Sequence, residues 1–448
     1  MAVLAAGLNE ILGTVDLLIG RAGTSVVTNA LTAARPRVFE LAYEHLGDVA
    51  AAKALTVKIL NLALARHEVS SRALTPLSRP FGLTLDPANG CHLHCPGCVH
   101  SADAIRRRLF DWPAGMLTEP ILAPLFRKYG PYAVQAMFCN YGEPLLNPAT
   151  PSFIKMARRY LMQTMLSTSM SVRNFDAEAY ALSGLDYMIV SIDGATQPVY
   201  ERYRRNGNLD LALANIASLV AAKRRLGLTT PVLCWQFLAF EHNAHEIDQA
   251  IECARQLGLD EFTVTKPFEV AWDDPTIRSA QVESRRVPIN PYSQEAMMDN
   301  WRRMPEDLDA ATIDEAYARE WCPVDAESNG GPTCRWLYKN LTMDAGGRIF
   351  PCCGAPQTTG GHLIFSRIGQ EEDPFNSDQH RLARQYFAAP ADYARQLRIL
   401  PEARAPFCAQ CQWADMPADI DGPQVATYLR AAGQSLFSAE TIRMLSSW

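Results

Sequence analysis

Residues 83–101 read LTLDPANGCHLHCPGCVHS, a short apolar run followed at once by Cys91, Cys95 and Cys98 in C-x3-C-x2-C spacing. Three thiols in one tight loop can hold three corners of a 4Fe–4S cube and leave the fourth iron without a protein ligand. An open iron is what a cluster needs if it must bind a small molecule as well as carry an electron. A structural zinc site is closed by four ligands, and His92, His94 or His100 could supply a fourth, so the motif alone leaves zinc open.

Working outward from this loop, residues 81–267 alternate short apolar runs with amphipathic helices. The runs are 83–86, 134–139, 164–169, 187–193, 232–240 and 262–265. Between them lie helices such as 119–129, with Thr118 as its N-cap, and 211–226. Strand and helix in alternation mean a parallel sheet with crossover helices, and six units suit an open partial (β/α)6 barrel rather than a closed eight-fold one. Function is then expected at the C-terminal ends of the strands.

Residues 1–80 read as a helical extension. Leu55, Ile59 and Leu62 form an apolar stripe at helical spacing, and Pro36 is expected to interrupt or begin a helix. Such a segment is expected to cap the next domain, with a lid or a partner or lipid surface as the alternative. Residues 268–321 are polar and predict a linker with one or two helices. A small cysteine-bearing α+β unit follows at 322–415, then a helical tail at 416–448.

The chain has 448 residues, 48% hydrophobic and 20% charged, with a formal net charge of −6. That balance argues against nucleic acid as the main partner. No stretch predicts a transmembrane segment or an export signal, so the expected location is cytoplasmic. In a reducing compartment the 12 cysteines read as ligands rather than disulfides. Beyond the first loop, Cys322, Cys334, Cys352, Cys353, Cys408 and Cys411 cluster near the C-terminus. Cys139, Cys234 and Cys253 stand alone, and Cys139 and Cys234 read as core thiols.

The three-cysteine loop after the first strand resembles the defining motif of the radical S-adenosylmethionine (SAM) superfamily, with Gly97 where an aromatic residue is common. The resemblance implies that SAM chelates the open iron. One electron from the reduced cluster then cleaves it to methionine and a 5′-deoxyadenosyl radical. Residues 138–148, FCNYGEPLLNP, resemble the family's glycine-rich turn for the SAM amino group, matching at Gly142, Glu143 and Pro144. Ser167, Thr168 and Ser169 resemble its strand-three turn. Ser191 and Arg204, with Arg202 as the rival arginine, match positions that bind chiefly the SAM carboxylate; an arginine fork suits that task. Gln236 shares a face with Cys234 on the fifth strand and is a further candidate for the SAM site. Asp193 and His242 are candidate acid–base groups.

Residues 334–354, CRWLYKNLTMDAGGRIFPCCG, predict a hairpin turning at 344–347 that sets Cys334 beside Cys352. Residues 407–413, FCAQCQW, add Cys408 and Cys411 as C-x2-C. With FNSDQHRLAR at 375–384 between them, this order resembles the one-cluster SPASM or twitch domain. Cys334, Cys352, Cys408 and Cys411 are then expected to hold an auxiliary 4Fe–4S cluster, with Cys322 in reserve and Cys353 on the opposite face. By the same resemblance the expected chemistry is hydrogen abstraction from a small-molecule or natural-product intermediate, with a two-electron oxidation leading. An electron donor such as flavodoxin or ferredoxin is implied. A peptide-modifying or lipid-modifying enzyme is the alternative, and a zinc-binding interaction protein the alternative of another class. A helical segment 1–80 lacks the strands of a winged-helix leader-binding module, which favours a non-peptide substrate.

Overall fold

The computed structural model describes residues 24–101, 113–267, 274–320, 334, 336–355, 364–388 and 408. Its centre is a sheet in which β1 (Gly82–Leu85), β2 (Gln135–Met137), β3 (Gln163–Thr168), β4 (Tyr187–Ser191), β5 (Val232–Leu238) and β6 (Glu261–Thr265) follow one another in chain order, all parallel. This is the six-unit α/β array that the sequence predicts. The burial pattern of β3 alternates residue by residue, and that of β4 does so from Tyr187 to Val190, as a strand with one packed face must. Leu166, Met188, Val190, Trp235, Phe237 and Phe262 face the crossover helices and belong to the main core. Ser167 and Gln236 alternate with them on the other, half-buried face.

The crossover helices are α3 (Glu119–Tyr129), α4 (Thr150–Arg158), α5 (Ala177–Ala181), α6 (Gln197–Tyr203), α7 (Leu209–Arg225) and α8 (Ile247–Leu257). Asp176 and Asn208 start α5 and α7 by accepting bonds from the amides of Ala179 and Leu211. Thr118 stands at the N-cap of α3 as expected, but its side chain makes no cap bond. A proline in the first turn removes one of the donors a cap would serve.

Two long helices, α1 (Thr24–Leu46) and α2 (Val49–Ser71), precede the barrel. Pro36 does not interrupt α1, contrary to expectation. Val27, Leu31, Ala34, Val38 and Ala42 bury one helical face against α2, which outweighs one lost backbone bond. The pair packs on Tyr132 and Leu161, residues just before β2 and β3. The buried Lys58 ammonium donates to the carbonyls of Gly130 and Ala133 at 3.0 and 2.5 Å. The described part of the extension, α1 and α2, therefore packs against the N-terminal ends of the strands.

The 268–321 segment is more ordered than a linker. It supplies β7 (Arg285–Pro288), antiparallel to β6, then α9 (Ser293–Arg302) and α10 (Ala310–Ala318). Lys53 of α2 pairs with Asp314 of α10 at 2.8 Å. The C-terminal unit departs further from expectation, because it does not form a sheet of its own. Its β8 (Asn340–Met343) pairs in parallel with β1, and β9 (Arg348–Phe350) and β10 (Ser366–Arg367) continue antiparallel from there. Among the described residues the ten strands form one sheet, with β10 and β7 at its edges. Two helices, α11 (Trp336–Lys339) and α12 (Asp378–Ala388), flank this extension.

Candidate functional site

The loop after β1 carries its three thiols into one apolar cluster. Cys91, Cys95 and Cys98 pack there with Leu93, Tyr203, Leu238, Phe240 and Ile277. Short backbone bonds fold the loop: the Cys98 amide donates to the Cys95 carbonyl at 3.1 Å, and that of Ser101 to Cys98 at 2.9 Å. Gly97, where the family often has an aromatic residue, sits at φ +80°, a conformation that L side chains resist. The segment after α6 holds the loop from outside: the His94 amide donates to the Arg205 carbonyl at 3.0 Å, and Asn206 Nδ2 to the His92 carbonyl at 2.7 Å. His94 and His100 bond through ring nitrogens to the carbonyls of His100 and Tyr141. His92 has both ring nitrogens buried without a partner.

Burial pushes the Cys95 thiol up to about 12, opposed by the Arg204 guanidinium beside it. Cys91 is raised too, by burial and the nearby Glu143. Among the described residues, no three His, Cys, Asp or Glu side chains already form a metal cage. The loop offers three soft donors on one apolar wall with a cation at hand, a donor set that fits an iron–sulfur cluster with one open corner.

The second loop is built directly on the first. Asp86, at the end of β1, accepts bonds from the amides of Asn140, Tyr141 and Gly142 at 2.9, 3.0 and 3.3 Å. A Cβ on Gly142 would lie 1.6 Å from the Ala88 carbonyl oxygen, so only glycine lets the two loops touch. The Glu143 amide donates to the Gly90 carbonyl at 2.9 Å. The Glu143 carboxylate, expected to face the SAM amino group, is spent inside the protein. One oxygen accepts from Leu145 N (3.2 Å) and Thr168 Oγ1 (2.6 Å), the other from Ser169 N (2.9 Å) and Oγ (2.8 Å). Four donors fill the usual capacity of a carboxylate. Glu143 is thus a strut between the β2 and β3 loops, and a ligand amine would have to displace one of them.

Ser191 stands with its Oγ 3.3 Å from that of Ser167, and in register with Gln236, which is in register with Thr263. These side chains line one face, as the alternation predicts. Arg204 is largely buried and its Nε meets Asp193 at 2.5 Å, while Arg202 is exposed. Asp193 also accepts from the Leu238 amide at 2.6 Å. It is therefore an internal ion-pair partner and not a free acid–base group. Burial and the neighbouring Arg202 lower His242 to about 4, which leaves the ring neutral near pH 7. Asp86 was not singled out from the sequence. The available signal was a carboxylate at the strand end, in Leu85–Asp86–Pro87, five residues before the first cysteine.

No family model matches the chain. Among curated proteins it is 29% identical over 176 residues to pre-heme d1 synthase of Dinoroseobacter shibae, covering 38% of this chain and 40% of that protein. It is 27% identical over 203 residues to GTP 3′,8-cyclase of Hydrogenovibrio crunogenus, covering 44% and 58%. Both relatives are radical SAM enzymes. Over these stretches the chain is similar to radical SAM enzymes. It spans less than two thirds of either relative's length. Among solved structures, SuiB of Streptococcus suis bound to S-adenosylmethionine aligns over 81% of this chain and 78% of its own, with a TM-score of 0.44 and 12% identity. Among the described residues no helix is long and apolar enough to cross a membrane.

The C-terminal cysteines are arranged differently from the sequence expectation. Cys334 does not lie on a strand opposite Cys352, because the helical turn α11 intervenes before β8. Cys334 and Cys408 share one apolar cluster with Leu337, Tyr338, Phe365 and Tyr386. Cys352 packs instead with Phe350, Ala355 and Ile364. Cys353 is raised to about 11, chiefly by burial and slightly by Cys334, whose thiol lies within electrostatic reach. Cys322 and Cys411 lie outside the described residues.

Proposed function

We propose that this chain is a radical SAM enzyme that uses Cys91, Cys95 and Cys98 to hold a 4Fe–4S cluster and cleaves SAM reductively to start hydrogen abstraction. The observation that carries the proposal is the convergence of three thiols on one apolar wall beside the buried Arg204. When bound, the cluster supplies the electron that breaks the sulfur–carbon bond of SAM. The chain's own part is to hold and orient. Arg204, braced by Asp193, presents its remaining guanidinium donors for the SAM carboxylate. The Gly142 turn offers backbone to the amino group, while Ser191 and Gln236 line the adjoining face. Tyr203, Phe240 and Ile277 keep water from the thiol cluster.

The substrate reading is a small-molecule or natural-product intermediate, oxidised by two electrons with help from an auxiliary 4Fe–4S cluster. The helical extension supports it: α1 and α2 pack under the barrel and present no strand edge to a peptide. Cys334 and Cys408 sharing a cluster supports the second metal site. Cys353 adjoins Cys352 in the chain, which makes it a contender for one ligand place, alongside Cys411.

Replacing any one of Cys91, Cys95 or Cys98 with Ala is expected to abolish 5′-deoxyadenosine formation in reduced, reconstituted protein. Formation at the wild-type rate would refute the cleavage reading. Iron content tests the second site: about eight irons per chain in wild type, and about four in the triple Ala variant. Adding Cys334→Ala and Cys408→Ala to that triple variant is expected to bring iron close to zero.

A further inference from the structure

Tyr141 occupies a place that no cofactor role explains. It follows β2 and precedes Gly142, where both of its backbone ends are pinned. Its amide donates to Asp86 at 3.0 Å, and its carbonyl meets the His100 ring nitrogen at 3.0 Å. His100 lies two residues beyond Cys98. The phenol points the other way, across to the C-terminal extension, where its hydroxyl donates to the Ala355 carbonyl at 3.5 Å. Along that span the ring lies within electrostatic reach of the Cys98, Cys352 and Cys353 thiols.

We infer that Tyr141 is a positioning residue that ties the Cys352–Ala355 turn to the Cys98–Ser101 end of the first loop and so fixes the spacing of the two cysteine sites. A phenol suits the task because its rigid ring spans the gap with few rotatable bonds, while its hydroxyl still finds a partner where it is buried. The arrangement depends on the extension of the sheet. Because β8 pairs with β1, the turn of the β8–β9 hairpin lies beside the loop that leaves β1, where the Ala345 amide donates to Asn89 at 2.8 Å, and β9 runs back from it to the Cys352–Ala355 turn that the Tyr141 hydroxyl meets. One side chain then separates the groups the two sets of thiols hold, and its loss would change their distance without removing a ligand. The inference rests on the two-site reading proposed above, but its test reads protein segments, so it can fail while SAM cleavage and iron content stand.

The test is hydrogen exchange, resolved by segment, on reconstituted holoprotein carrying Tyr141→Phe or Tyr141→Ala. Three amides report the contact: Cys98 and Ser101 in the first loop, and Ala355, which donates to the Cys352 carbonyl at 3.3 Å. Tyr141→Ala is expected to speed exchange roughly ten-fold in both segments, with residues 51–65 of α2 unchanged. Tyr141→Phe keeps the ring and should speed only 352–355, by roughly two- to ten-fold, through loss of the bond to Ala355. In protein loaded at both sites, the power saturation of the reduced EPR signal, which senses the distance between two paramagnets, should shift in Tyr141→Ala. Unchanged exchange at both segments, or acceleration that includes 51–65 equally, would overturn the inference, and so would unchanged saturation at full iron content. Should Tyr141→Ala fail to fold, Tyr141→Phe decides: selective loosening of 352–355 supports the tie, and wild-type exchange there refutes it.

Discussion

At the scale of single residues, the site is built from groups that mostly bind one another. Asp193 and Arg204 are the sharpest case, a buried pair whose other contacts include the Leu238 amide, the Cys95 thiol and the Tyr203 ring. Breaking such a pair leaves an uncompensated charge and costs about 3–5 kcal/mol. Arg204→Ala should therefore lower thermal stability as well as SAM affinity, and the two effects must be separated. In the double variant Arg204→Gln, Asp193→Asn, no buried charge is stranded and stability should largely recover. SAM affinity should stay roughly ten- to a hundred-fold below wild type, since charge-assisted bonds to the carboxylate are gone. Calorimetric titration alongside thermal melts checks both; full recovery of affinity in the double variant would take the carboxylate role away from Arg204. Glu143→Gln, by contrast, should show up mainly as lost stability, because its carboxylate serves Thr168 and Ser169.

At the scale of elements, alternation of apolar runs and amphipathic helices was enough to read six parallel strands, since each crossover helix packs on one face of the sheet and the chain order is the spatial order. The cysteine loop, the Gly142 turn and the Ser191 face were legible for the same reason: each follows directly from a strand end. What escaped the sequence are partnerships across long separations. Nothing local in NLTM at 340–343 says that it pairs with Gly82–Leu85, and nothing in Glu143 shows that Thr168 and Ser169 already occupy it. Lys58 in α2 is a similar case, an ammonium buried against Gly130 and Ala133 with its pKa lowered to about 7. Between pH 7 and the ordinary lysine value of 10.5 the unfolded chain holds a proton that the folded chain lacks, so stability should rise with pH across that window. The slope expected from this group is up to about 1.4 kcal/mol per pH unit. Chemical denaturation of wild type and Lys58→Met at pH 7 to 10 checks it: the difference in stability between them should shift toward wild type as pH rises. A constant difference would mean that burial does not penalise the charged amine.

At the scale of the whole molecule, the regions that composition divides are stitched into one body, and Arg384 sits where the stitches cross. This arginine, in α12, is fully buried and donates to the carbonyls of Leu337 at 2.8 Å, Phe375 at 2.8 Å and Leu74 at 3.2 Å, and to Asn376 Oδ1 at 2.9 Å. Asn376 in turn donates to the Pro76 carbonyl at 3.0 Å, and Tyr129 of α3 to Asp373 at 2.9 Å. One guanidinium therefore joins the exit of the helical extension to the C-terminal unit, and its neighbours carry the link into the barrel. Truncation leaves several buried acceptors without a donor at once, each of which costs about 1–3 kcal/mol. Arg384→Ala is expected to destabilise the chain by about 3 kcal/mol or more, a large share of the stability of an ordinary domain. Because β8 shares the sheet with β1, the C-terminal unit should not melt away alone. A single thermal transition at lower temperature, seen alike by calorimetry and by tryptophan fluorescence, is the expected result. Two resolved transitions, with the barrel's melting unchanged, would show that the C-terminal unit folds independently after all and that the shared sheet contributes little to its cohesion.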